Sequence, residues 1–191
     1  MDRRLLGWGL AVASRRRVPP LWLFTDFKRL PDPRAAVSRL PRKRAGVVLR
    51  HDEDPDRACQ ARDLARICRA RRLVLVVAGD ARLAAALGAG IHLRGGRWAS
   101  AMRVDGFVTS SAHDVTELRR ASRAGADLVF LSPAFPTASH PGAAGFGAVR
   151  WAATARQCLS PVAALGGVDG QSVRRLPRAL CWAVGAIGAL A

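Results

Sequence analysis

The chain has 191 residues, and half of them are apolar, which is enough to build the core of one domain. None of its apolar runs reaches the length of a membrane-spanning helix. Its 31 basic and 14 acidic residues give a net charge of +17, but the arginines are scattered and no common nucleic-acid-binding signature is present. The charge therefore indicates attraction of phosphorylated or other anionic small molecules, and specific nucleic-acid binding is not expected.

Residues 1–20 are predicted to form a helical lead-in, with basic ends around a short apolar centre. A weak signal peptide has a similar pattern, but the three arginines at 15–17, followed shortly by two prolines, argue against export. The cysteines include no CxxC pair, which favours free thiols over a metal or redox site: Cys59, Cys68, Cys158 and Cys181. Free thiols are usual in a reducing cytosol, so we expect a cytoplasmic protein.

Short apolar runs alternate with helical stretches from residue 21 onward. The strands predicted from these runs are, in chain order, residues 21–26, 45–51, 73–80, 90–93, 106–113, 126–133, 161–168 and 182–188. The helices predicted between them include residues 54–72, a short helix at 81–88, and residues 114–125. Asp54 or Asp56 can cap the first of these helices and Asp114 the third, because carboxylates accept hydrogen bonds from the free N–H groups at helix starts.

The predicted strands are near-continuous apolar runs rather than alternating ones. Such strands are buried on both faces, which is typical of a parallel sheet covered by helices. Eight strand–helix units predict a compact (β/α)8 TIM barrel with shortened helices over residues 21–191. An open, doubly wound sheet is the alternative, but the GxGxxG fingerprint of many such sheets is absent after the first strand, which continues LFTDFKRLPDP.

Polar residues gather at the carboxyl ends of the predicted strands, where parallel barrels hold their active sites. All four histidines belong to this set: His51, His92, His113 and His140. His113 directly precedes a predicted helix, whose positive dipole end favours a neutral imidazole that can take or give a proton near pH 7. His92 is more typical of a hydrogen-bonded core residue, and His51 of a helix cap or a solvent-facing residue.

Glycines at the last strand ends predict a phosphate site. Gly166 and Gly167 end the seventh predicted strand and Gly185 lies in the eighth, which is where barrels bind phosphate through backbone N–H groups. The loop after the sixth strand offers further groups for an anion: Thr137, Ser139 and His140.

Seven segments resemble, in order, the motifs of the thiamine phosphate synthase/TenI family: LWLFTD, VVLRHD, VVAGD, GAGIHL, TSSAH, GADLVFLSPAFPTASH and PVAALGGV. The resemblance covers residues 21–190 and implies the same barrel that the strand count predicts. It also implies one of two activities. A synthase joins a pyrimidine diphosphate to a thiazole phosphate and releases pyrophosphate with Mg²⁺, whereas a TenI-like tautomerase moves a proton on a thiazole carboxylate phosphate.

The departures from the synthase pattern fall on its pyrophosphate and metal groups. Four family residues are replaced, at Val48, Asp52, Arg97 and His140. Of the two metal-binding aspartates only Asp80 remains, and a guanidinium at Arg97 cannot bind Mg²⁺. The thiazole-phosphate side is mostly kept, although Gly185 stands where the family has serine.

The resemblance therefore favours a TenI-like thiazole tautomerase, in which Ser111-Ala112-His113 matches the motif of the catalytic histidine. His113 is the expected catalytic residue. The expected substrate-binding residues are Arg50, Ser111, Thr137, Ser139, His140, Gly166, Gly167 and Gly185. A tautomerase requires no cofactor, whereas the alternative, a divergent synthase, needs Mg²⁺ with Asp80 as a ligand.

A third alternative is a non-catalytic binder of a phosphorylated ligand. The expected partners are a phosphorylated thiazole and, for a synthase, a pyrimidine diphosphate, with no membrane and no specific nucleic acid. A homodimer is left open, because the sequence identifies no interface.

Overall fold

Eight parallel strands close into a barrel in the computed structural model, which describes residues 1–13, 18–99, 101–102, 104–137, 142 and 144–191. The strands are β1 (Leu21–Phe24), β2 (Ala45–Leu49), β3 (Val74–Ala78), β4 (Gly90–Arg94), β5 (Val108–Ala112), β6 (Leu128–Leu131), β7 (Val162–Leu165) and β8 (Cys181–Ala186). Each strand pairs with the next one along the chain, and β8 closes the barrel on β1 with Val184 opposite Leu21. The predicted (β/α)8 barrel is confirmed.

Helices cover the outside of the strands. They are α1 (Arg3–Ala13), α2 (Arg34–Arg39), α3 (Arg57–Arg71), α4 (Ala81–Leu87), α5 (Val115–Arg123) and α6 (Gly147–Ala155), with a 3₁₀ helix at Ser172–Arg175. Most strands are shorter than predicted at their carboxyl ends, because the polar residues there leave the sheet and enter loops. None of the helices in the described ranges has the length and apolar character needed to cross a membrane.

Aromatic side chains fill part of the barrel interior. Trp22 and Phe24 of β1 pack against Phe130 of β6, with ring centroids 5.6 and 4.8 Å apart. A glycine on the neighbouring strand leaves room for the indole, since a Cβ at Gly46 would lie 2.7 Å from Trp22 Cδ2. Close packing of this kind gives the strand ends fixed positions, on which the geometry of the site depends.

Helix α1 packs against β8 and the 3₁₀ helix. Its residues Leu5, Trp8 and Val12 are buried in the layer between strands and helices. The Asp2 carboxylate caps its start by accepting hydrogen bonds from the N–H groups of Arg4 and Leu5, at 2.8 and 3.2 Å. The N-terminal segment is thus part of the helical layer of the barrel.

The predicted cap of α5 is present, whereas neither predicted residue caps α3 with its side chain. The Asp114 carboxylate accepts from the N–H of Glu117 at 2.8 Å, as expected. Asp56 is the N-cap residue that precedes α3, but its side chain makes no capping hydrogen bond. The Asp54 carboxylate accepts from the N–H of Asp56 at 2.8 Å, so it closes a turn ahead of the helix.

Candidate active site

Two neighbouring cavities open at the carboxyl ends of the strands. The larger one has a volume of about 640 Å³, and the smaller one about 330 Å³. Four residues line both cavities: Phe24, Arg50, Ser132 and Leu165. The two cavities therefore adjoin each other along these residues.

His113 lines the larger cavity, in the loop between β5 and α5. Its Nδ1 lies 2.9 Å from the main-chain oxygen of Ser132, and its own N–H donates to Glu117 Oε2 at 2.8 Å. A carbonyl oxygen only accepts hydrogen bonds, so this partner assigns the proton of the neutral ring to Nδ1. The other ring nitrogen, Nε2, then carries the lone pair that a base needs.

Gly166 and Gly167 line the smaller cavity and turn the chain sharply after β7, with φ angles of +86° and +64°. A Cβ at Gly167 would lie 2.8 Å from the main-chain carbon of Phe135, so no larger residue fits there. Gly185 and Gly188 line the same cavity from the end of β8. Within the described part of the chain, the N–H groups of Gly167 and Gly188 donate to no protein oxygen.

Every cation that the described chain contributes to the larger cavity faces a carboxylate. Arg50 Nη2 lies 3.6 Å from Asp26 Oδ2, and Lys28 Nζ lies 3.8 Å from Glu53 Oε2. Arg94 pairs with Asp52, whose Oδ1 also lies 3.2 Å from Arg57 Nη2. Burial lowers the pKa of Arg50, and the Asp26 carboxylate opposes that change. The positive charge of this cavity is therefore largely compensated.

The donor set around Asp80 does not suit Mg²⁺. Asp80 Oδ1 accepts from the N–H of Leu83 at 2.9 Å and caps α4, while Oδ2 lies 3.6 Å from Arg57 Nη1. The residue that the family resemblance sets against the second metal aspartate is Arg97, a cation. Among the residues that the structure describes, no three histidine, cysteine or acidic side chains form a group that could hold a metal ion. The residues present therefore do not fit a bound Mg²⁺.

Two other histidines are buried and hydrogen-bonded. His92 Nδ1 lies 2.8 Å from Thr109 Oγ1, and burial lowers the pKa of His92 to about 3, with further lowering by Arg50 and Arg94. His51 Nδ1 lies 2.8 Å from Thr25 Oγ1, and its side chain is fully buried. The expectation that His51 faces solvent is wrong, because the ring turns inward to the end of β1.

The other predicted residues are distributed over both cavities. Ser111 lines the larger one, where its Oγ accepts from the N–H of Gly95 at 3.4 Å, and Thr137 lines the smaller one. Ser139 and His140 lie outside the described residues. Arg94 and Glu117 also line the larger cavity, but neither was among the predicted site residues. Both carry charge near a predicted strand end. Arg94 directly follows the fourth predicted strand, so the rule that selects polar residues at strand ends could have found it.

Comparison with known proteins agrees with this fold. The family model described as thiamine monophosphate synthase, TMP-TENI, matches residues 33–190. A thiamine-phosphate synthase of Thiobacillus denitrificans is 31% identical over 175 residues, which is 84% of this chain and 82% of the relative. One of Geobacillus thermodenitrificans is 33% identical over 148 residues, which is 73% of this chain and 66%, just under two thirds, of the relative.

A solved structure shares the architecture. The thiamine phosphate pyrophosphorylase from Pyrococcus furiosus superimposes with a TM-score of 0.71 at 19% identity, over 90% of this chain and 86% of that one. The barrel, with its cavities at the strand ends, defines the (β/α)8 class of proteins. Within that class, the chain belongs to the thiamine monophosphate synthase (TMP-TENI) family.

Proposed function

We propose that this chain is a TenI-like tautomerase that moves a proton on a phosphorylated thiazole. The observation that carries the proposal is the hydrogen bond between His113 Nδ1 and the oxygen of Ser132, a residue that lines both cavities. It leaves Nε2 of His113 as the proton acceptor beside the space for the ring of the substrate. The substrate phosphate would lie in the smaller cavity and the thiazole in the larger one.

The glycine-lined cavity is suited to a phosphate group. Backbone N–H groups at Gly167 and Gly188 are available to phosphate oxygens, and the absence of side chains lets the phosphate approach the main chain. Arg50 lines both cavities, so its guanidinium lies beside the proposed phosphate while it also faces Asp26 at 3.6 Å. This arrangement supports a ligand with one phosphate, held at a fixed distance from His113.

Proton transfer needs only groups that this chain holds. His113 Nε2 removes a proton from the substrate carbon, and the resulting imidazolium returns one at another position of the same conjugated system. The fixed bond from Nδ1 to Ser132 keeps the ring in one orientation during both steps. The Ser111 hydroxyl, which also lines the larger cavity, can hold the ring of the substrate beside this histidine.

The paired charges of the larger cavity favour this reaction over the departure of pyrophosphate. A diphosphate brings about three negative charges, and it needs cations that are not already neutralised. Lys28, Arg50 and Arg94 each face a carboxylate instead. An uncharged or singly charged ring therefore fits this space better than a diphosphate.

Titration with three ligands tests the proposal. Thiazole phosphate, its carboxylated form and the pyrimidine diphosphate are each added with and without Mg²⁺, and binding is followed by calorimetry and by the melting temperature. We expect metal-independent binding of both thiazole ligands and no binding of the diphosphate. Mg²⁺-dependent binding of the pyrimidine diphosphate would contradict the proposal.

The second candidate is a divergent thiamine-phosphate synthase. The names of the curated relatives favour it, since proteins that are 31–35% identical to this chain are called thiamine-phosphate synthases. Pyrophosphate release from the pyrimidine diphosphate and thiazole phosphate, dependent on Mg²⁺, would establish it. Binding of a thiazole phosphate without any turnover would instead leave a phosphate-ligand binder.

A further inference from the structure

The second residue of the chain joins two loops that line the smaller cavity. Asp2 Oδ2 accepts a hydrogen bond from the N–H of Gly170 at 2.7 Å, in the loop after β7. The N–H of Asp2 donates to the oxygen of Ala189 at 2.8 Å, in the loop after β8. Gly170 and Asp2 are 168 positions apart in the sequence, so this contact joins the start of α1 to the loop after β7.

Both loops carry the groups that would hold the phosphate. Gly166, Gly167 and Asp169 precede Gly170 and line the smaller cavity, as do Gly188 and Ala189 on the other side. The loop after β7 has its own internal bonds, because Asp169 Oδ1 accepts from the N–H groups of Gln171 and Ser172 at 2.9 and 2.7 Å. Asp2 supplies the bond from that loop to the next one.

We propose that Asp2 is a positioning residue for the phosphate site. This inference rests on the phosphate site of the proposed function, and it assigns a role to a residue that lies before the region matched by the family model, 33–190. Asp2 holds the loops after β7 and β8 together beside the smaller cavity, through its carboxylate and its backbone N–H. It contacts neither the ligand nor the reacting atoms.

The Asp2 carboxylate is ionised in this arrangement. Partial burial would raise the pKa of Asp2, but three backbone N–H donors, from Gly170, Leu5 and Arg4, outweigh it and the pKa is lowered. The two oxygens have separate tasks. Oδ1 caps helix α1, whereas Oδ2 makes the bond to the loop after β7.

This division of tasks separates the two roles by substitution. Asp2→Asn keeps one oxygen for the helix cap but places an NH₂ group against the N–H of Gly170, where two donors face each other. Gly170→Ala perturbs the same contact from the loop side, because a Cβ there would collide with both carboxylate oxygens of Asp2 and lie 2.5 Å from Arg4 Cβ, so it disturbs the cap and the loop bond together. Val12→Ala is the control. Val12 is a buried residue of α1 that does not line the smaller cavity, so its truncation weakens the packing of the helix without touching either loop.

The test measures binding of inorganic phosphate and of thiazole phosphate by calorimetry, together with amide hydrogen exchange of residues 166–170. We expect Asp2→Asn and Gly170→Ala to weaken binding of both probes at least about fivefold and to speed exchange in the loop, whereas Val12→Ala lowers only the melting temperature. The expected loss of affinity for inorganic phosphate does not depend on a thiazole ring. The inference about Asp2 therefore stands even if thiazole phosphate does not bind and the proposed function is wrong.

Three results would overturn the inference. The first is unchanged phosphate affinity and unchanged loop exchange in Asp2→Asn. The second is an equal loss of affinity in Val12→Ala, which would mean that Asp2 acts only through the stability of α1. The third is wild-type protein that binds neither probe, because there would then be no phosphate site for Asp2 to position.

Discussion

His113 and Ser132 are joined by a hydrogen bond of 2.9 Å between the imidazole Nδ1 and the main-chain oxygen. The two residues follow β5 and β6, which are neighbouring strands, and the N–H of Ser132 donates to the oxygen of Ala112 at 2.9 Å. The orientation of the imidazole is therefore set by the register of the barrel. Because Ser132 also lines the smaller cavity, the same backbone links the proposed base to the proposed phosphate site.

The first prediction concerns Gly167. Gly167→Ala should weaken binding of inorganic phosphate by tenfold or more, measured by calorimetry, because the new Cβ would lie 2.8 Å from the main-chain carbon of Phe135 and the loop must move. A tenfold loss corresponds to about 1.4 kcal/mol. Gly125→Ala is the matched control, since Gly125 also has a positive φ, +82°, but no atom lies within 4 Å of its added Cβ. Both variants should have a lower melting temperature than the wild type. An equal loss of affinity in both would contradict the prediction.

The second prediction concerns the charge balance of the larger cavity. Asp52→Asn should raise the affinity for inorganic pyrophosphate severalfold, because Arg94 and Arg57 lose the carboxylate that pairs with them. Calorimetry with pyrophosphate measures the change. Asp63→Asn is the control, because Asp63 also pairs with two arginines but lies outside both cavities. If Asp52→Asn binds pyrophosphate no better than the wild type does, or if Asp63→Asn gains as much affinity, then Asp52 does not neutralise the arginines of this cavity.

The third prediction is a pH dependence of stability. The buried His92 has a pKa of about 3, against 6.5 for an ordinary histidine, so between these values the unfolded chain binds more protons than the folded one. The contribution of His92 to the free energy of unfolding is therefore present above pH 6.5 and falls as the pH drops toward 3, at most by roughly 1.4 kcal/mol per pH unit. Urea unfolding at pH 7 and pH 5 measures it. Wild type should lose more stability than His92→Gln, which keeps a polar partner for Thr109; equal losses would refute this assignment.

The barrel was predictable from the sequence because its evidence is local. Each strand is a short apolar run, and the glycines of the proposed phosphate site directly follow the run that forms β7. The place of His113 at the strand ends was predictable for the same reason, since the start of a helix next to a strand end depends only on neighbouring residues; its catalytic role stays a prediction. The exact strand ends could not be predicted, because the point at which a strand leaves the sheet depends on how it pairs with its neighbouring strands.

The contacts between distant residues could not be predicted. Arg94 and Asp52 are 42 positions apart, and only the closed barrel brings them together. The position of Asp2 depends in the same way on the loop that contains Gly170. His51 was assigned to a helix cap or to solvent, but its burial against Thr25 follows from how β1 and β2 pair, which one sequence does not reveal.

The most direct test of the central claim is turnover of the thiazole carboxylate phosphate by wild type and by His113→Gln, followed by NMR in D₂O. We expect isomerisation with solvent deuterium entering the product in the wild type, and a rate lower by about 10²–10⁴-fold in the variant. The affinity for thiazole phosphate should stay the same in both, because the phosphate site does not include His113. Full activity in His113→Gln would contradict the claim that this histidine carries the proton.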